Sequence, residues 1–133
     1  MINLETKTEE HYDFIRNHFT FTQELDNFLE SSSEILCYRQ GETLVGLITY
    51  TENDENVIRV HFGAVLKDYR EKDILTNLAT SLEEKYPNYT FLSSVRESNS
   101  IMISFLEKNG FKESDRGEYS DGEVKIRMVR ASS

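Results

Sequence analysis

The chain has one cysteine and one proline in 133 residues. Cys37 standing alone excludes an internal disulfide and fits a reducing compartment. Beyond the lone Pro87 there is no Ser/Gly-rich linker, internal repeat or low-complexity tract, so nothing marks a second domain. Residues 1–133 therefore read as a single compact domain, long enough to bury roughly two-thirds of its unfolded surface without a disulfide or metal staple. No apolar run reaches the ~20 residues a membrane helix needs and no signal-like leader is read, so no membrane partner and a cytoplasmic location are expected. Basic residues are also scarce, 15 Lys and Arg against 24 Asp and Glu, for a net charge of −9. That balance argues against nucleic acid, whose phosphates demand a concentrated basic face, and mildly favours a cationic substrate. His11 and His18, seven apart, are expected on the surface of a first helix, and with one cysteine no metal site is expected.

What the chain does have is periodicity that changes along its length. Ile2 to Glu5 alternates as a short edge strand. A helix follows from Thr8, with Glu9 and Glu10 suited to its N-terminus and Tyr12, Ile15 and Phe19 on one face. Phe21, Leu25, Phe28 and Leu29 continue a helical pattern to about Glu30, where Ser31-Ser32-Ser33 stops it. Three strand-like runs then form a meander: Glu34 to Arg39, Leu44 to Thr51 and Val57 to Leu66. From Glu71 the spacing turns helical, with Ile74, Leu75, Leu78, Ala79, Leu82 and Tyr86 in one stripe until Pro87. Tyr89 to Val95 is a buried strand, and Ser98 to Asn109 is a helix with Ile101, Met102, Phe105 and Leu106 inward and Gly110 as its C-terminal cap. Two closing strands fit around Asp121-Gly122, the last running from Glu123 to Arg130.

The order is β-α-α-β-β-β-α-β-α-β-β, a mixed α/β fold with a mostly antiparallel sheet flanked by helices. A right-handed crossover implies one parallel pair, residues 57–66 with 89–95, and only that pair is free to diverge into a crevice at its C-terminal ends. Gly63 is a position for a bulge. Arg70-Glu71-Lys72-Asp73 reads as a solvated helix start in which Asp73 complements the dipole, and Asn99 as an N-terminal cap. His61 shares the strand parity of Val65 and is the candidate general base; Tyr50, Ser94 and Tyr119 are further polar groups placed to border a crevice.

Two stretches, Val65 to Ile74 (VLKDYREKDI) and Asn99 to Phe111 (NSIMISFLEKNGF), together with this order, resemble the GNAT superfamily of acetyl-CoA-dependent N-acetyltransferases over about residues 2–130. The resemblance implies a strand that offers backbone groups to the pantetheine arm and a turn, Q/R-x-x-G-x-G/A, that seats the pyrophosphate at a helix N-terminus. It assigns the pantetheine contacts to Val65 and Leu66, the turn to Arg70, Glu71, Lys72, Asp73, Ile74 and Leu75, and a further cofactor contact to Asn99. Asp73 and Leu75 stand where the family has small residues, and Leu106 where it commonly has a tyrosine that protonates the leaving thiolate. The implied activity is transfer of an acetyl group from acetyl-CoA to a small-molecule or peptide amine, with a homodimer as an open oligomeric state. The competing expectation is a catalytically degenerate GNAT-like binding or assembly module.

Overall fold

The fold is that of a computed structural model, which describes residues 1–17, 33–53 and 55–131 and, at Phe62, Glu71 and Lys72, the backbone alone. The helix expected from Phe21 to Glu30, and His18 with it, lie outside the described residues. The elements are β1 (Ile2–Glu5), α1 (Glu9–Arg16), β2 (Glu34–Gln40), β3 (Thr43–Asn53), β4 (Val57–Val65), a 3₁₀ turn (Lys67–Lys72), α2 (Ile74–Lys85), β5 (Thr90–Arg96), α3 (Ser100–Lys108), β6 (Lys112–Glu118) and β7 (Val124–Arg130). Strands hydrogen-bond in the order β1-β2-β3-β4-β5-β7-β6, and of the pairs whose register is defined only β4 with β5 is parallel. The chain is thus mixed α/β with a mostly antiparallel sheet. It forms two compact units, Met1–Thr51 with His61–Tyr86, and Glu52–Val60 with Pro87–Ser133.

In the first unit the core forms where α1 lays Phe14 and Ile15 against Ile35, Cys37, Leu44 and Leu47 of β2 and β3, with Tyr12, Ala64 and Leu66 packed on it. Alternation along β4 sends Ala64 and Leu66 to that cluster and the intervening Val65 to the other face. There Gly46 of β3 is essential: a Cβ on it would stand 3.0 Å from Val65 Cγ2, 3.2 Å from the Ala64 carbonyl oxygen and 3.2 Å from Ile74 Cγ2. Gly63 has a packing role: a Cβ there would lie 3.2 Å from Leu75 Cδ1 and 3.5 Å from Ile48 Cγ1. The absence of side chains at Gly46 and Gly63 lets the start of α2 sit close on β3 and β4.

His11, expected at the surface, is 1% exposed. The Thr8 backbone N–H donates to its Nδ1 at 3.0 Å, and since a backbone N–H can only donate, the ring proton lies on Nε2, which donates to Glu5 Oε1 at 3.0 Å. Arg39 grips the same carboxylate with Nε on Oε2 at 2.8 Å and Nη2 on Oε1 at 2.9 Å, and reaches Glu10 at 2.7 Å. The Arg39 hydrogen bonds, with help from His11, hold Glu5 below the ordinary carboxylate range against the opposing effect of burial; Arg39 does the same to Glu10.

In the second unit β4 pairs with β5 from Val57↔Thr90 to Val60↔Ser93, while β5 pairs with β7 and β7 with β6. α3 is capped at both ends as its sequence predicts: Asn99 Oδ1 accepts from the Met102 N–H at 3.2 Å, and Gly110, at φ 89°, and Phe111 donate back to Glu107 and Leu106 at 3.1 and 3.0 Å. Its inward stripe is narrower than expected. Leu106 is buried, Met102 and Phe105 are half-buried, and Ile101 is 84% exposed. Ile101 falls about 140° from Leu106 around the helix, off the buried face.

Two measurements test this description. Gly46→Ala forces a Cβ against a backbone carbonyl that cannot rotate away, so urea unfolding should show a loss of about 1–3 kcal/mol. Glu5 and Glu10 have lowered folded-state pKa values, so their stabilisation is complete above the unfolded value near 4.5 and disappears as pH falls through the folded one. Stability should decline on acidification below about pH 5, and Glu5→Gln should flatten that decline.

Candidate functional site

The site is built where β4 ends. Val65 is buried, its carbonyl accepts from Arg70 Nε at 3.1 Å, the Leu66 N–H donates to the Val45 carbonyl at 2.8 Å, and the Leu66 carbonyl accepts from the Tyr69 N–H at 2.9 Å. These bonds coil the chain into the 3₁₀ turn at once. They also engage the Val65 carbonyl and the Leu66 amide, two of the backbone groups expected to face a pantetheine arm. Arg70 thereby turns back on the strand and anchors the turn.

Arg70 to Asp73 is not the first turn of the long helix, as the charge pattern predicts. The helix begins at Ile74, and Asp73 between the 3₁₀ turn and α2 adopts the left-handed conformation, φ 56° and ψ 25°. That geometry is natural for glycine and strained for most L-residues, with Asp and Asn among the better-tolerated exceptions. Asp73 therefore has a backbone shape natural for glycine, with a carboxylate added. Its carbonyl accepts from the Asn77 N–H at 2.9 Å, but its exposed side chain makes no capping bond to α2.

The amides of Ile74, Leu75 and Thr76 open α2 and have no acceptor within the helix. A left-handed residue followed by an uncapped helix N-terminus is a shape that seats an anion. Leu75 does not spoil it as its size predicts, since the side chain is half-buried against Gly63. Charge is the remaining obstacle. From Lys67 to Asp73 the basic Lys67, Arg70 and Lys72 are matched by Asp68, Glu71 and Asp73, so the turn is formally neutral.

The other expected site residues divide between the units. His61 is exposed and its Nε2 lies 2.6 Å from Thr51 Oγ1. Tyr50 is fully buried with its hydroxyl 3.2 Å from that of Tyr86, so it borders no crevice. In the second unit Asn99 caps α3 and Leu106 is core, while Ser94 lies opposite Arg127 in the β5–β7 ladder. Tyr119 lies under a group that the sequence reading missed, the guanidinium of Arg96, 4.1 Å from the ring centroid. An arginine ending an otherwise apolar-rich strand, with the acidic Asp121 and Glu123 flanking the hairpin glycine, was the available signal.

Among the described residues Glu5, His11 and Cys37 bring ligand-type atoms within 4.8 Å of one another. They do not form a ready metal site. His11 Nε2 carries the ring proton, both Glu5 oxygens are held by Arg39, and burial, reinforced by the Glu5 charge, pushes the Cys37 thiol up to about 12.

The left-handed turn makes a stability prediction independent of ligand. Asp73→Gly should equal or exceed the wild type in urea unfolding, whereas Asp73→Ala should fall below Asp73→Gly by about 1 kcal/mol. Equal stability of the two variants would show that the position does not require left-handed backbone.

Comparison with known proteins follows the same lines. The family model for the acetyltransferase (GNAT) family matches residues 2–111. No curated protein matches the chain by sequence. Among solved structures, a Bacillus subtilis acetyltransferase in complex with CoA superposes with a TM-score of 0.80 at 14% identity, over 99% of this chain and 98% of that one. The ribosomal-protein-S18-alanine N-acetyltransferase of Escherichia coli gives 0.76 at 17% identity, over 100% and 95%. A GNAT family acetyltransferase from Elizabethkingia anophelis with acetyl-CoA bound gives 0.76 at 14% identity, over 98% and 97%. With a left-handed turn joining β4 to α2, the strand order found here and a family model spanning most of its length, the chain belongs to the GNAT acetyltransferase family.

Proposed function

We infer that the chain is one acyltransferase domain that moves the acetyl group of acetyl-CoA to a small-molecule or peptide amine. The observation that carries this reading is the left-handed Asp73 followed by the uncapped start of α2, at the end of β4. The amides of Ile74, Leu75 and Thr76 fit a pyrophosphate. Acetyl-CoA supplies the thioester; a neutral amine forms the new N–C bond as the C–S bond breaks, the amine loses its proton and the thiolate gains one. We assign the amine proton to His61, whose ring is exposed and oriented by Thr51. Leu106 has no proton to give, and we assign the thiolate's proton to solvent water.

Asp73 sets the affinity. A carboxylate ~4 Å from a phosphate charge opposes binding by about 1 to 4 kcal/mol, depending on local dielectric. The same feature, with Leu106 in place of a proton donor, favours a second reading in which the domain binds a partner and does not turn over.

Acetyl-CoA should raise the melting temperature of the wild type, because it binds the folded state. Asp73→Asn, which keeps tolerance for left-handed backbone and removes the charge, should tighten binding about tenfold in calorimetry, ~1.4 kcal/mol. His61→Gln should lower turnover about 100-fold or more with little change in acetyl-CoA affinity. No melting shift at millimolar acetyl-CoA would overturn the acyltransferase reading in favour of the binding module. Binding that does not improve in Asp73→Asn would show that the carboxylate is not what limits it.

A further inference from the structure

The two residues that open α2 each rest over a glycine. A Cβ on Gly46 of β3 would stand 3.2 Å from Ile74 Cγ2, and one on Gly63 of β4 would stand 3.2 Å from Leu75 Cδ1 and 3.5 Å from Ile48 Cγ1. Neither glycine has the left-handed backbone found at Gly41, Gly110 and Gly122, so each supplies room rather than conformation. The two contacts are not equivalent. Ile74, Leu78 and Leu82 recur every fourth residue and are the buried residues of α2, so Ile74 faces the sheet in any case. Leu75, about 100° further round the helix, is half-buried and reaches the strand because Gly63 is bare.

The size of Leu75 makes that recess matter. Side chains on a helix lean toward its N-terminus, and Leu75 belongs to the first turn. Its default direction is therefore the open end, where the amides of Ile74, Leu75 and Thr76 have no acceptor within the helix. A long apolar side chain over those amides would keep an anion from them. Packing against β4 at Gly63 takes it away from that end. Because interiors are close-packed, filling the recess forces the leucine to change rotamer or to carry its own backbone with it. The rest of the helix is held by the buried Leu78 and Leu82 and, at its far end, by Tyr86, whose hydroxyl lies 3.2 Å from that of Tyr50. A disturbance at Gly63 therefore falls on the helix start.

We propose that Gly63 is a positioning residue for acetyl-CoA: the space it leaves draws the Leu75 side chain down onto β4 and so keeps the N-terminus of α2 open to the cosubstrate's pyrophosphate. The proposal rests on the acetyltransferase reading above. It makes positions 63 and 75 a complementary pair, in which a large residue on the helix requires a bare one on the strand. Leu75→Ala removes as many carbons from the helix as Gly63→Val adds to the strand, so the double variant conserves volume across the contact.

Acetyl-CoA affinity is measured by calorimetry for Gly63→Val, Leu75→Ala, the two together, and Ile15→Val, a control that trims the core on the opposite face of the sheet. Affinity is read rather than turnover because His61 lies two residues from Gly63. Gly63→Val should weaken binding about tenfold or more, while Leu75→Ala, the double variant and Ile15→Val stay within about twofold of wild type. Without ligand, hydrogen exchange at the Asn77 amide, which donates to the Asp73 carbonyl at the helix start, should accelerate about tenfold in Gly63→Val and return to near wild type in the double variant. The Tyr86 amide, bonded to the Leu82 carbonyl at the other end, should change less than about twofold, whereas general destabilisation would move both amides together. Should Gly63→Val fail to fold, Gly63→Ala carries the same readouts with effects of about fivefold. Wild-type affinity in the Gly63 variant, or weak binding that Leu75→Ala does not restore, would overturn the proposal. A wild type that binds no acetyl-CoA would overturn the acetyltransferase reading and with it the link to the cosubstrate; exchange at Asn77 and its rescue by Leu75→Ala then decide whether Gly63 positions the helix start.

Discussion

The end of strand β4 is the constraint on which the candidate site depends. Val65 occupies the space left by the missing side chain of Gly46, and Ile74 at the start of α2 packs into the same space. On the opposite face Ala64 and Leu66 join the cluster built from α1, β2 and β3. With both faces of the strand end packed and its backbone bonded to Val45 and Arg70, the chain leaves β4 in one direction only. The turn that follows fits because Asp73 accepts a left-handed backbone. The position of the helix N-terminus at the candidate site is therefore a product of packing several residues away.

Shape and charge act separately at this turn. The shape fits the pyrophosphate seat proposed for it: left-handed residue, uncapped amides, and a leucine turned aside onto Gly63. The charge is formally neutral across Lys67 to Asp73. A single carboxylate is thus the main difference between this turn and one with a glycine, a residue that adopts the same left-handed backbone without strain. Affinity and fold therefore respond to different properties of the residue at position 73: conformation favours glycine, aspartate or asparagine over alanine, while charge favours the neutral ones.

Much of the architecture was legible because periodicity and punctuation are local. The strand meander, the Pro87 break, and the Asn99 and Gly110 caps of α3 each follow from a few adjacent residues, and the structure has them where the sequence puts them. What was not legible depends on long-range contact. His11 looked like a surface residue on an amphipathic helix, yet Glu5 and the Thr8 amide give its buried ring two partners from before the helix. Gly46 carries no turn signal, and only the approach of Ala64, Val65 and Ile74 reveals its role. Arg96 reads as one more charge until the hairpin folds Asp121 and Glu123 onto it. The sequence pattern starts this helix at Glu71, before the left-handed Asp73 where the backbone reverses hand, because hydrophobic spacing does not report the sign of φ.

The most direct measurement of the central claim is an amide-resolved NMR titration of the uniformly ¹⁵N-labelled chain with acetyl-CoA. If the β4 end, its turn and the start of α2 form the cosubstrate seat, the largest shifts fall on the amides of residues 70–76, with Ile74, Leu75 and Thr76 moving in the sense expected for hydrogen bonding to an anion. Saturable binding whose largest shifts lie outside residues 65–76 would contradict the account.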